Sequence, residues 1–195
     1  MLSTNRPTTL FEELVSAARG VAGIVAGDRR AARHFDFSTR GLAGSFIAFL
    51  LAMLLNAYMP DFGGDTSYST LPPTRLLTIG AFLFAAQVAF SALVLRQINR
   101  LDGFVPYLVA DNWTTFFVVA VSTLLALIGV PSEFVVLVGG LFALIVEINI
   151  ARLILTLRPW QIAMFLVAQV VGVLIGLILV WTVFPLPADT TLPGT

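Results

Sequence analysis

The sequence predicts an all-α polytopic membrane protein, a bundle of five transmembrane helices preceded by an N-terminal amphipathic helix. Three observations predict it. The 195 residues are 58% hydrophobic and 11% charged, with a mean hydropathy of +0.94, whereas soluble domains carry about 25% charged residues. Five apolar runs each have about the 20 residues needed to cross a hydrocarbon core. All ten prolines fall outside those runs or at their edges, as expected of a residue that breaks the helical hydrogen-bond ladder.

Residues 1–9 are polar, with no charged-then-apolar pattern behind them, so no cleavable signal peptide is expected. From Thr9 the pattern becomes helical. Thr9 and Glu12 fit a capping box. Phe11, Leu14, Val15, Ala18, Val21, Ala22 and Val25 recur at helical spacing, with Glu12, Glu13, Ser16 and Arg19 on the other side. Such a helix is expected to lie on the membrane or on a partner. Arg29, Arg30, Arg33 and Arg40 follow, immediately before the first apolar run. They are a cytoplasmic anchor and candidate contacts for lipid head groups, each cation attracting an anionic surface by about 1 kcal/mol. His34 belongs to this interfacial cluster.

The five runs are residues 42–59, 76–95, 112–130, 134–157 and 161–184. Residues 1–41 thus form a cytoplasmic segment, 42–184 the transmembrane domain and 185–195 a short external tail. Residues 60–74 form an external loop rich in Gly, Pro, Ser and Asp. Ten of the eleven arginines lie on the N-terminal side of the bundle and Arg75 alone on the other, which orients the N-terminus to the cytoplasm and the C-terminus outside. Small residues recur every fourth position at Gly44, Ala48 and Ala52, at Ala81, Ala85 and Ala89, and at Gly172 and Gly176. These faces permit close helix packing within the bundle or between copies. Trp113, Trp160 and Trp181 fall near span ends, as interfacial anchors do.

Composition excludes much chemistry. All eleven basic residues are arginine, so there is no Schiff-base lysine and no P-loop lysine. No cysteine is present, which removes disulfides, thiolate nucleophiles and iron–sulfur clusters. One histidine cannot by itself make a His-based metal site or a bis-His haem. The formal net charge of zero gives no reason to expect nucleic acid as a partner. No cofactor and no catalytic residues are expected.

What remains is a polar layer inside the spans. Residues 131–160 hold Glu147 mid-span, followed by Asn149 and Arg152. A buried ionisable residue in a membrane span is a functional-site hypothesis by default. Counting at about 1.5 Å per residue from the span ends puts Glu147, Gln87 and Gln169 roughly 12–15 Å from the cytoplasmic edge, near the midplane. The expected layer is therefore Glu147 bonded to Gln87 and Gln169, with Arg152 pairing with Asp111 nearer that edge or snorkelling out of it. Its functional alternative is a proton- or cation-binding carboxyl at Glu147.

The stretches FDFSTRGLAGSF entering the first span, YLVADNW entering the third, and IARLILTLRPWQIAMFLV joining the fourth and fifth carry a family likeness. With the five-span, N-in and C-out topology, the chain resembles Yip1-domain membrane proteins and a group of bacterial membrane proteins of that kind. The resemblance implies a non-enzymatic scaffold, assembly or membrane-organising factor acting through lipids, a protein partner or its own homo-oligomer. The arginine-only composition suggests a GC-rich bacterial genome, hence an inner membrane. A small secondary transporter or channel subunit using Glu147 is the alternative; transporters usually show internal repeats and broken helices at the substrate site. The topology is directly testable: a reporter fused after Thr195 should lie outside the cytoplasm and one inserted near Arg100 inside it. Both on one side would exclude five spans.

Overall fold

The structure, a computed structural model, describes residues 9–58 and 71–183. Helix α1 (Leu10–Val25) and a short 3-10 turn (Ala31–His34) precede five long apolar helices: α2 (Thr39–Tyr58), α3 (Pro73–Gln97), α4 (Phe104–Leu127), α5 (Ser132–Leu153) and α6 (Pro159–Val183). Each of the five is long and apolar enough to span a membrane, so the chain is a multi-pass membrane protein. Among the described residues there is no strand. The external loop and tail expected at 60–74 and 185–195 lie almost wholly outside the described residues.

The helix ends follow from local sequence. Thr9 and Glu12 form the expected capping box, each side chain accepting the other's backbone N–H at 3.2 Å. At the far end of α1, Gly27 has φ +71°, and Asp28 N–H donates to Gly23 O at 2.8 Å. That is a Schellman closure, which needs a left-handed residue after the cap. Helix α4 ends the same way at Gly129, with Val130 N–H on Leu125 O at 3.0 Å, one residue before Pro131. Pro73 and Pro159 stand in the first turns of α3 and α6, where a missing N–H leaves no bond unmade.

One boundary differs from expectation. The third span begins at Phe104 rather than 112, because Pro106 sits inside the first turn of α4 instead of ahead of it. The longer helix carries Trp113 away from its end. Trp113 is 6% exposed and stacks on Phe117 with ring centroids 6.1 Å apart, so it is a core residue and no interfacial anchor. Trp160 and Trp181, at opposite ends of α6, are exposed.

Helix α3 packs chiefly on α6, and α2 on α4, with α5 against α4. Gly172 and Gly176 of α6 are buried against Phe90, Ala86 and Leu83 of α3, and Gly44, Ala48 and Ala52 of α2 are buried as expected. Ala81, Ala85 and Ala89 depart from this: all three are exposed, because Ala86 and Phe90 supply the packing face of α3. On the N-terminal side the connections are clipped together by Arg100, whose guanidinium donates to Leu155 O at 2.5 Å and Thr156 Oγ1 at 2.9 Å.

Helix α1 is docked on its own bundle, and not through its most apolar side. Ala17, Val21 and Ile24 belong to the central core cluster, whereas Phe11 is 72% exposed and Ala22 and Val25 also face outward. At 100° per residue the buried face is rotated about a third of a turn from the apolar stripe. Small residues decide this: Gly20 lies on the Phe35 ring and Gly23 on Ala31, an approach that larger side chains would block. The rotation also turns Glu13 inward. Its carboxyl, 5% exposed, rests on Gly44 of α2, and Ser16 Oγ donates to His34 O at 2.6 Å.

Burial, reinforced by the charge of Asp36 and partly offset by Arg40, pushes the Glu13 carboxyl above the ordinary glutamate range. The folded state then keeps a proton that the unfolded chain releases. No penalty exists at acidic pH, and one grows as pH rises from the ordinary glutamate value through the folded one. Glu13→Gln should therefore raise the thermal midpoint in detergent at neutral pH and flatten its decline from acid to neutral. Deleting residues 1–26 should lower the midpoint. A truncated protein as stable as the full chain would show that α1 is not part of the bundle.

Candidate functional site

The polar residues inside the spans converge on Gln169 of α6, which is buried. Its Nε2 donates to Glu147 Oε1 of α5 at 2.6 Å, to the Tyr107 hydroxyl of α4 at 2.8 Å and, more weakly, to Ser91 Oγ of α3 at 3.3 Å. An amide nitrogen has two hydrogens, so the two short contacts take them and the third is shared. The Tyr107 hydroxyl lies within bonding reach of the Glu147 carboxyl and of Gln87 on α3. Tyr107 is fully buried, held by an edge-on contact with Phe165 at 5.2 Å.

Of the expected triad, Glu147 and Gln169 are joined directly, and Gln87 reaches them only through Tyr107 at the centre. Sequence reasoning missed Tyr107 because the third span was begun at 112. The available signal was spacing: Tyr107 and Asp111 are four apart, one turn of the same face. The depth also shifts. Glu147 lies six residues before the end of α5, about 9 Å in at 1.5 Å per residue, whereas Gln87 and Gln169, each ten residues from its helix end, keep the expected depth of about 15 Å.

Arg152 and Asp111 are not a pair. Asp111 lies one turn from Tyr107 on the same face of α4, within electrostatic range of Glu147. Arg152 points the other way, to Gly27 at the end of α1. The reason is helical geometry: three residues before Arg152, Asn149 turns into the α1 interface and donates to Ile24 O at 2.9 Å, and Arg152 shares that face. A second tie joins α4 to α2, where Asn112 Nδ2 donates to Ser45 Oγ at 3.1 Å. Arg29, Arg30, Arg33 and Arg40 are all exposed on the connection between α1 and α2 and the start of α2, in a position to meet head groups. Among the described residues no group of three or more His, Cys, Asp or Glu could hold a metal.

No family model matches the chain, and neither a curated protein nor a solved structure matches it. The site must be read from its own chemistry.

That chemistry is a closed hydrogen-bond layer joining four helices. Glu147→Gln should be tolerated, because the amide can accept from Gln169 and donate to Tyr107. Glu147→Leu removes the acceptor of the shortest bond in the layer and should lower stability in detergent by about 0.6–2 kcal/mol, the range measured for intramembrane hydrogen bonds. Equal midpoints for the two variants would remove the layer from the forces holding the bundle.

Proposed function

We propose that this chain is a non-enzymatic, Yip1-like integral protein of a bacterial inner membrane, N-terminus cytoplasmic, serving as a scaffold, assembly or membrane-organising factor through lipid or protein contacts. The observation that carries the reading is where the polar side chains are used. Glu147, Gln169, Tyr107 and Ser91 bond to one another across helices, and beyond them long stretches of α5 and α6 carry no polar side chain. From 134 to 146 on α5 and from 170 to 180 on α6 every side chain is apolar or glycine. A conduit needs polar partners along its length, because an unpartnered polar or charged group in hydrocarbon costs several kcal/mol. A bundle built this way offers its surfaces to partners, and not its interior.

A second reading has one specific observation in its favour, the approach of Asp111 to Glu147. Two carboxyls and a phenol within about one helical turn of depth are a ligand set suited to a proton or a monovalent cation. The two readings separate on the same variants. Glu147→Gln and Asp111→Asn should both remain folded and keep wild-type growth and wild-type co-purifying partners in affinity capture from the native membrane, with no ion flux in proteoliposomes for any form. A wild-type flux abolished in stable Glu147→Gln would reverse the preference, since an amide cannot carry a titrating proton.

A further inference from the structure

A groove of about 480 Å³ opens between α1, α4 and α5. Residues 117–125 of α4 and 134–142 of α5 form its walls, with Phe117 facing the groove on one side and Phe142 on the other. Val21 and Val25 of α1 close one end. The walls are membrane-spanning segment, so the medium around the groove is hydrocarbon. Gly139 lies in the α5 wall, and a Cβ added there would meet no atom within 4 Å. A lining this apolar makes its dispersion contacts best with hydrocarbon, and lipid tails are the apolar matter that surrounds it.

The α1 end of the groove is cationic. Ala26 lines it and leads directly into Gly27, Asp28, Arg29 and Arg30, while the Arg152 guanidinium reaches Gly27 from α5. Arg29, Arg30 and Arg152 are exposed, and none forms an ion pair among the described residues. The one nearby carboxylate, Asp28, accepts the Arg30 backbone N–H at 2.9 Å. Three cations against one carboxylate, at the mouth of an apolar slot, complement a molecule with a hydrocarbon tail and an anionic head.

We propose that this groove holds one acyl chain of an anionic glycerophospholipid of the surrounding bilayer, with its phosphate between Arg29 and Arg152. The assignment deepens the reading that the chain acts through lipid or protein contacts, and the two fail separately, because partner capture tests that reading without regard to bound lipid. Gly139 supplies the experiment. Gly139→Leu puts a branched side chain into the slot from a position where its Cβ meets no atom, and it improves helix propensity. Gly140→Leu adds the same bulk where a Cβ also meets nothing, but Gly140 does not line the groove.

The full chain, reconstituted with equimolar phosphatidylglycerol and phosphatidylcholine and then released in mild detergent, is weighed by native mass spectrometry. Wild type and Gly140→Leu should retain one phosphatidylglycerol, and Gly139→Leu should lose it at least tenfold. Arg29→Gln with Arg152→Gln should erode the preference for phosphatidylglycerol by about fivefold per charge removed. In wild type, phosphatidylglycerol with an acyl-chain diazirine should label residues 117–125 or 134–142. Equal retention by both leucine variants, no head-group preference in wild type, or labelling spread evenly over all spans would each overturn the proposal. So would a wild-type dimer that Gly139→Leu dissociates, since the occupant would then be a second copy.

Discussion

In hydrocarbon there is no water to accept or donate a hydrogen bond, so a polar side chain on a spanning helix needs a partner within the protein. Short Ser and Thr can find it on their own backbone, and longer side chains must find it on another helix. Gln169 is where this constraint acts most heavily. One amide nitrogen meets acceptors from α3, α4 and α5, which fixes the rotation of four helices about their own axes. Apolar packing alone leaves such rotations poorly determined, because lipid tails are as apolar as the side chains they would replace. The small residues then set the separations. Gly172 and Gly176 let α3 close on α6, near enough for the amide to reach Ser91.

The same constraint accounts for the way the bundle divides along its length. Its polar ties, from Asn112 on Ser45 to Asn149 on Ile24, gather at the end where α1 docks. There the 3-10 turn, α1 and the connection held by Arg100 cover the helix ends. Toward the other end the ties between helices are apolar, and a groove runs between α1, α4 and α5. Rigid, hydrogen-bonded packing at one end and an open seam at the other are thus two results of one distribution of polar residues.

Helix α1 shows how tertiary packing overrides a strong local pattern. Its apolar stripe is the clearest amphipathic signal ahead of the spans, and the bundle takes a different face. The face taken is the one with Ala17, Gly20 and Gly23, because closeness of approach outweighs apolarity where the rest of the helix can remain against lipid or at the interface. Burial of Glu13 follows from that choice, as does the free apolar side of Ala22 and Val25 that borders the groove.

Legible in the sequence were the class, the five spans, the capping of α1, the close packing at Gly172 and Gly176 and the joining of Glu147 and Gln169 in one layer. Each of these is a local or one-dimensional property: span length, helical period, proline position, distance from a helix end. The tertiary structure decided what depends on helix rotation. It placed Asp111 with Glu147 and sent Arg152 to α1, put Tyr107 at the centre of the layer, buried Trp113, and left Ala81, Ala85 and Ala89 outside. A residue's depth along a helix is fixed by counting. The direction it faces is fixed only by which neighbours come close, and in this bundle small residues and one glutamine settle that.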